Sequence, residues 1–345
     1  MGSYLEEVGS LTNGLYSSGL SSLIDTWANE LSYASLCQFI HIVTGCEQLS
    51  ISGVQSYLLR RAASISSDWA SKAQIDTTIE VVETIDVEDA AQPEVLVFMD
   101  DVGVKAQKPH KKIARTEADA KRLDTTTVLV ESTIKGDFVP LTEGIDRLGQ
   151  TIYPIPQAIA DTLTQLHDTQ LPLPIVAITD GARSIRLCLW AVFGSQVRII
   201  LDWYHLQLKI KNMMSMIAPT KADKALYIEE LGALLWQGHV TKALDYLKAL
   251  PRVKNKDAHS NLCTYLEKHA QEIINYERRK QQGKAIGSGR GEKLNDTIVA
   301  HRQKKKGMAW AITGSKALAV IKTYELQKNR GNYLGGVLLC SDLGL

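Results

Sequence analysis

Two runs decide how the chain folds: Pro174-Ile175-Val176-Ala177-Ile178-Thr179, followed by Asp180-Gly181, and Val197-Arg198-Ile199-Ile200-Leu201, followed by Asp202. Each is short, continuously apolar, rich in β-branched residues and closed by an acid, the pattern of a buried strand ending at a turn. Between them, Ser184 to Phe193 has helical spacing, so the stretch predicts a β-α-β unit. Upstream, Val95 to Met99 is another apolar run, ending at Asp100-Asp101. Thr125 to Val130 is β-branched, and Phe138 to Leu141 makes a short third strand. Pro156 to His167 places Ile159, Leu163 and Leu166 on one helical face. Three strands able to pair antiparallel, then β-α-β, predict a mixed sheet flanked by helices, an α/β fold.

From His205 to about Glu277 the strand signals stop. Ala225, Ile228, Leu231, Leu234 and Leu235 form one amphipathic stripe, and Ala243 to Leu250 another. Residues 205–280 therefore read as an all-helical insertion between two parts of the sheet domain, 95–204 and 281–330. Residues 1–75 read as an N-terminal helical domain. Within it, Leu31 to Ser64 has the outline of a helix-turn-helix, with Gly45 ending one helix and Ser50 and Ser52 opening the next, which closes on Arg60 and Arg61; a plain helical bundle has the same pattern. Asp76 to Glu94 holds seven acidic residues and no basic one, and reads as an exposed connector or an acidic surface strand between domains. Residues 331–345 form a C-terminal tail.

The chain's 345 residues allow about two domains and a core that needs no disulfides. Five cysteines without C-x-x-C spacing argue against a disulfide framework or a cysteine-built zinc site. The longest apolar run, Leu187 to Phe193, is far short of the roughly 20 residues of a membrane helix. Glu6 and Glu7 stand at the start without a basic cluster, so no secretory leader is expected and a cytoplasmic setting is. Residues 1–101 carry fifteen Asp or Glu against three Lys or Arg, while residues 277–330 carry fourteen Lys or Arg against four acids. A basic end on an otherwise neutral chain suggests a polyanionic partner, with a solvated helical surface as the plain alternative.

Three apolar runs thus deliver acids at their ends: Asp100 or Asp101, Asp180, and Asp202. Functional groups gather at that edge of an open α/β sheet, and clustered carboxylates without Cys or His suit Mg²⁺ or Mn²⁺. A fourth acid, Glu292, follows the glycine-rich Ile286-Gly287-Ser288-Gly289-Arg290-Gly291. That run lacks the G-K-S/T ending of a phosphate loop and reads as a flexible entrance to a helix, from which Glu292 can reach the other acids.

With these features the sequence resembles the DDE transposases of bacterial insertion sequences, in the mutator-related group with a (Cys or Asp)-x-x-His signature. Asp100, Asp180-Gly181-Ala182, Asp202-Trp203-Tyr204-His205, Leu235-Trp236-Gln237-Gly238, Ile286-Gly287-Ser288-Gly289 with Glu292, Arg302-Gln303-Lys304 and Gly307-Met308-Ala309-Trp310 carry the likeness, over about residues 31–330. The resemblance implies an RNase H-like fold in which Asp100, Asp180 and Glu292 hold two Mg²⁺ or Mn²⁺ ions. The implied reaction is hydrolysis at transposon ends, followed by attack of the 3′-hydroxyl on target DNA. The family's first acid is usually followed by Gly. Asp101 stands there instead, which makes it the alternative first ligand.

Asp202 and His205 either help orient DNA or a metal ligand, or are structural, with Asp202 capping the helix that starts at Trp203. Lys105, Lys108, Lys111, Lys112, Arg290, Arg302, Lys304, Lys305 and Lys306 are expected to contact phosphates of double-stranded DNA, and Trp310 either stacks on a base or packs. A homo-oligomer, at least a dimer, is expected on DNA. A nuclease that cleaves without joining, and a catalytically silent DNA-binding regulator, are the competing readings.

Overall fold

A computed structural model describes residues 11–12, 16–45, 49–73, 79–82, 84–108, 119–167, 171–195 and 197–328. Its centre is a five-stranded mixed sheet built from β1 (Val95–Lys105), β2 (Arg122–Ser132), β3 (Asp137–Thr142), β4 (Ile175–Thr179) and β5 (Arg198–Leu201), in the order β3-β2-β1-β4-β5. β1, β2 and β3 pair antiparallel, and β4 runs parallel to both β1 and β5. The chain is an α/β protein.

β1 departs from its expected length. It continues for 11 residues to Lys105, so Asp100 and Asp101 lie mid-strand opposite Thr127 and Thr126 of β2. Only the pairing with β4 stops short, at Phe98 opposite Ile178. Successive side chains on β1 point to opposite faces of the sheet. Val95, Val97 and Met99 face α4 (Ile155–Leu166) and α5 (Arg183–Phe193), packing with Ile159, Leu163, Ile185 and Leu189. Leu96, Phe98, Val102 and Val104 belong to the larger core on the other face.

That larger core also takes in the N-terminal helices, α1 (Ser18–Ala28), α2 (Tyr33–Thr44) and α3 (Ile51–Ser71). Serines cap them: the Ser32 and Ser50 hydroxyls accept from the Ser35 and Gly53 N–H groups at 3.0 Å each, and Gly45 closes α2 in the left-handed conformation. The second helix of the helix-turn-helix outline, α3, is a wall of the core. Val54, Tyr57, Leu58, Ala62 and Ile65 are buried, and the helix packs along the C-terminal helix described below and a short ribbon at residues 144–153. No cation on α3 is exposed, and Arg61 is held by Asp25 at 2.8 Å. The acidic stretch is no exposed connector either. Ile79, Val81 and Val87 are buried, and residues 80–82 exchange backbone hydrogen bonds with Leu173. Asp76, Glu83 and the tail at 331–345 lie outside the described residues.

After β5 the chain is helical: α6 (Trp203–Ile217), α7 (Lys221–Trp236), α8 (Val240–Lys248), α9 (Lys256–Lys268) and α10 (Tyr276–Gln281). Leu206, Ile210, Leu231, Leu235, Leu247 and Leu262 interlock within it. Trp203, Trp236 and Tyr276 form an aromatic cluster at its base, with ring centroids 4.8–6.3 Å apart. A buried ion pair ties its far end to the sheet. Arg279 grips Glu94 through both terminal nitrogens at 2.7 and 3.1 Å, and donates to the Ala285 carbonyl at 2.6 Å. The chain then enters α11 (Gly289–Asn295), which lies across β1 and β2 and runs through a π-helical turn at Asp296–Ala300. α12 (Ile312–Lys328) packs on α3 and β3.

Cys37, Cys188 and Cys263 are half-buried free thiols; Cys46 and Cys340 lie outside the described residues. Among the described residues no helix is long and apolar enough to cross a membrane.

Candidate active site

Strand register sets the level of three acids. Phe98 pairs with Ile178, and two residues further on come Asp100 and Asp180; Thr179 pairs with Leu201, and one residue further on come Asp180 and Asp202. The acids therefore stand side by side across three neighbouring strands, where the two parallel strands β4 and β5 end.

Asp100 shares its face with Phe98, toward α11. Its Oδ1 accepts from the Asp101 N–H at 2.8 Å and its Oδ2 from Asn295 Nδ2 at 2.6 Å. Burial pushes its carboxyl above the usual range, and the like charges of Asp180 and Asp101 add to this. Asp101 points the other way. Its Oδ1 accepts from the Thr126 hydroxyl at 2.5 Å, and its charge adds to burial in raising the Cys188 thiol, on α5, to about 11.

Asp180 opens the turn into α5, its Oδ1 accepting from the Ala182 N–H at 2.8 Å. Gly181 beside it has φ +86°, and a Cβ there would lie 2.7 Å from His269 Cε1, so only glycine fits. His269 belongs to a buried network with Glu272, 2.5 Å from its Nδ1, and Arg186, which pairs with the same glutamate at 2.5 Å.

Asp202 is fully buried and caps α6 through the His205 N–H at 2.9 Å. Its Oδ2 accepts from both the N–H and the hydroxyl of Ser288. Burial alone would raise this carboxyl, yet the donors at His205 and Ser288 outweigh it and hold it at about 2. His205 Nδ1 lies 3.5 Å from Asp202 Oδ2 and 3.8 Å from Glu292 Oε1, charge-pair distances without hydrogen-bond geometry. Asp202 first, then Glu292 and Asp180, raise the imidazole to about 9 against the opposing effect of burial, so it is cationic at neutral pH.

Among the described residues, one set of three ligand-type side chains gathers its atoms within 4.8 Å: Asp202, His205 and Glu292. Asp100, Asp180 and Glu292 do not gather that closely. Within the tight set Asp202 already accepts three hydrogen bonds, and His205 stands between the two carboxylates. Asp100 and Asp180 are neighbouring like charges, a pair whose mutual repulsion a divalent cation would relieve. Glu292 is exposed on the first turn of α11, its Oε1 3.8 Å from His205 Nδ1.

The basic residues divide. Lys105, Lys108, Lys304, Lys305 and Lys306 are exposed, whereas Lys111 and Lys112 lie outside the described residues. Trp310 pairs its backbone with Lys105 and Gln107 at 2.9 and 2.7 Å, which brings the 304–310 loop to the end of β1 and places both lysine groups on one rim. Arg290 is paired with Glu131. Arg302 and Trp310 cannot serve as DNA contacts, because both are buried. Arg302 lies over the rings of Trp310 and Tyr33 at 4.9 and 5.6 Å and donates to the Ala28 carbonyl at 3.1 Å.

Sequence reasoning missed Asn295 and Ser288 as site residues. Asn295 had a signal, since it lies three residues after Glu292 and so on a neighbouring part of the same helix face. Ser288 had none beyond its place in the glycine-rich run. No protein-family model matches this chain, and no curated protein matches it either.

Proposed function

We propose that the chain is a metal-dependent DNA transposase of the DDE type. On this reading the sheet is an RNase H-like core and residues 203–281 are a helical insertion between β5 and α11. The observation that carries it is the alignment of Asp100 with Asp180 across β1 and β4, with α11 presenting Glu292 from above β1. The strand order and the single antiparallel β2 among β1, β2, β4 and β5 support the fold assignment.

Asp100, Asp180 and Glu292 would hold two Mg²⁺ or Mn²⁺ ions. Such a pair supplies an activated water or 3′-hydroxyl and stabilises the leaving oxygen of a phosphodiester. The chain's own residues supply placement. The Asp101 N–H orients Asp100, the Ala182 N–H orients Asp180, and Asp202 fixes the segment that delivers Glu292. Lys105, Lys108 and Lys304 to Lys306 bind duplex phosphates along the rim, which contributes affinity without sequence preference.

The test is incubation of the purified chain with duplex oligonucleotides ending in the element's own terminal repeats, plus supercoiled target DNA, in Mg²⁺ or EDTA. The reading expects end cleavage and joined products in Mg²⁺ only. Cleavage without joining leaves a nuclease on the same core, and cleavage in neither condition alongside DNA binding leaves a regulator.

A further inference from the structure

A buried amide beside Asp100 is unexplained by packing. Asn295 and Thr127 are each nearly inaccessible, in an interface otherwise made by Phe98, Leu129, Leu294 and Ile298. A polar side chain buried among such residues is costly unless hydrogen-bonded. Here its bonds form a chain: the Thr127 hydroxyl donates to Asn295 Oδ1, and Asn295 Nδ2 donates to Asp100 Oδ2 at 2.6 Å. Thr127 is also the residue directly opposite Asp100 in the β1–β2 ladder. The carboxylate, which only accepts, requires the NH₂ end of the amide, and this turns Oδ1 toward the Thr127 hydroxyl.

Backbone geometry shows how the amide reaches the acid. A Cβ on Gly291 would lie 3.0 Å from Phe98 Cβ, so glycine lets α11 approach β1 there. Four residues along a helix advance about 6.0 Å, and two along a strand about 6.6 Å. Contact at Gly291 and Phe98 therefore carries forward to contact at Asn295 and Asp100. Directly after Asn295 the helix widens into its π turn, a feature that often accompanies functional sites.

We propose that Asn295 is a positioning residue for Asp100: its amide, held from behind by the Thr127 hydroxyl, keeps the carboxylate in one rotation so that its remaining lone pairs are presented for a divalent cation. This rests on the metal-site reading above. Without the amide, the Asp101 N–H is the one hydrogen-bond donor left to Asp100 among the described residues, and it acts at Oδ1. Removing an outer partner of a metal ligand lowers metal affinity by about 10- to 100-fold.

The experiment is titration of the full chain with MnCl₂, following free Mn²⁺ by electron paramagnetic resonance, well below each variant's melting temperature. Asn295→Leu is expected to weaken Mn²⁺ binding at least about tenfold, and Thr127→Val to weaken it less, in the same direction. A merely structural role would move the melting temperature and leave the Mn²⁺ affinity of folded protein unchanged, and that result overturns the inference. Should Asn295→Leu not fold, unchanged affinity in Thr127→Val does the same. Asp100→Asn is measured alongside: if it too binds Mn²⁺ as the wild type does, the metal-site reading itself falls.

Discussion

Ser288 donates both its N–H and its hydroxyl to one oxygen of Asp202, while the other oxygen caps α6 at His205. One buried carboxylate thereby joins the start of the helical segment to the start of α11, 86 residues further along the chain. Asp202→Ala strips three donors of their acceptor at once. Each such loss costs about 1–3 kcal/mol, so the variant should lose at least about 2 kcal/mol. Urea unfolding measures it, and a loss under 0.5 kcal/mol would show that water replaces the carboxylate at about the same energy.

His205 predicts an alkaline limb in stability. Its folded value of about 9 lies above its ordinary 6.5, so its contribution is complete below pH 6.5 and is lost as pH rises through 9. Asp202 behaves oppositely: held at about 2 against an ordinary 3.8, it contributes above pH 3.8, and that is lost as pH falls toward 2. The difference in melting temperature between wild type and His205→Gln should shrink steadily from pH 6.5 to 9. A constant difference over that range would mean that the imidazole is not charged by its neighbours.

Asp100 and Asp101 should separate under mutation. Asp100 faces α11 and Asp180, whereas Asp101 faces Thr126 and α5. If the chain is a DDE enzyme, Asp100→Asn, Asp180→Asn and Glu292→Gln each remove cleavage with the fold retained. Asp101→Gly keeps most of it, at a stability cost of about 1 kcal/mol for glycine in a strand. Cleavage that survives in Asp100→Asn but not in Asp101→Gly would move the site to the other face of the sheet.

The exposed and buried cations should part company in a salt titration. Replacing Lys304, Lys305 and Lys306 by Gln should lower the slope of log K against log salt by up to about 2.7, at roughly 0.9 per phosphate contact, with no change in melting temperature. Arg302→Gln should do the reverse: it loses about 2 kcal/mol of stability, from its contacts with Tyr33 and Trp310 and its bond to Ala28, and leaves the slope alone. An unchanged slope in the lysine variant would mark that loop as solvated surface only.

Arg279 belongs to the same basic stretch and has a different use. Arg279→Met leaves the buried Glu94 with Lys284 alone, at 3.4 Å, so the loss should stay below the about 3–5 kcal/mol of a fully stranded charge. Pairing it with Glu94→Met should recover only part of that loss, since Lys284 then loses its carboxylate partner. Denaturant midpoints of the two single variants and the double variant form the cycle, and strict additivity would show that the pair is not coupled.

The strands, the helices and the all-helical run after β5 were legible because local patterning specifies them: Ile175 to Thr179 and Arg198 to Leu201 are apolar and β-branched whatever they pack against. The charged residues were not legible in the same way. Lys304 and Arg302 look alike in a basic tract, as do Arg278 and Arg279, yet one of each pair is exposed and the other buried.

By itself, the sequence determined that acids would stand at the ends of β4 and β5 and a further one after a glycine-rich turn, since periodicity and turn chemistry are local properties; it set Asp100 at the end of its strand, where the structure has it mid-strand. Only the tertiary structure decided which acids meet and what holds them. The length of β1, the two-residue step from the Phe98–Ile178 pair to Asp100 and Asp180, the anchoring of Ser288 by Asp202, and the reach of Asn295 to Asp100 all depend on pairings between segments 17 to 195 residues apart. The physical reason is that hydrogen bonds and charge pairs act over a few ångströms, and the distance between such segments in space is set by the packing of the whole core.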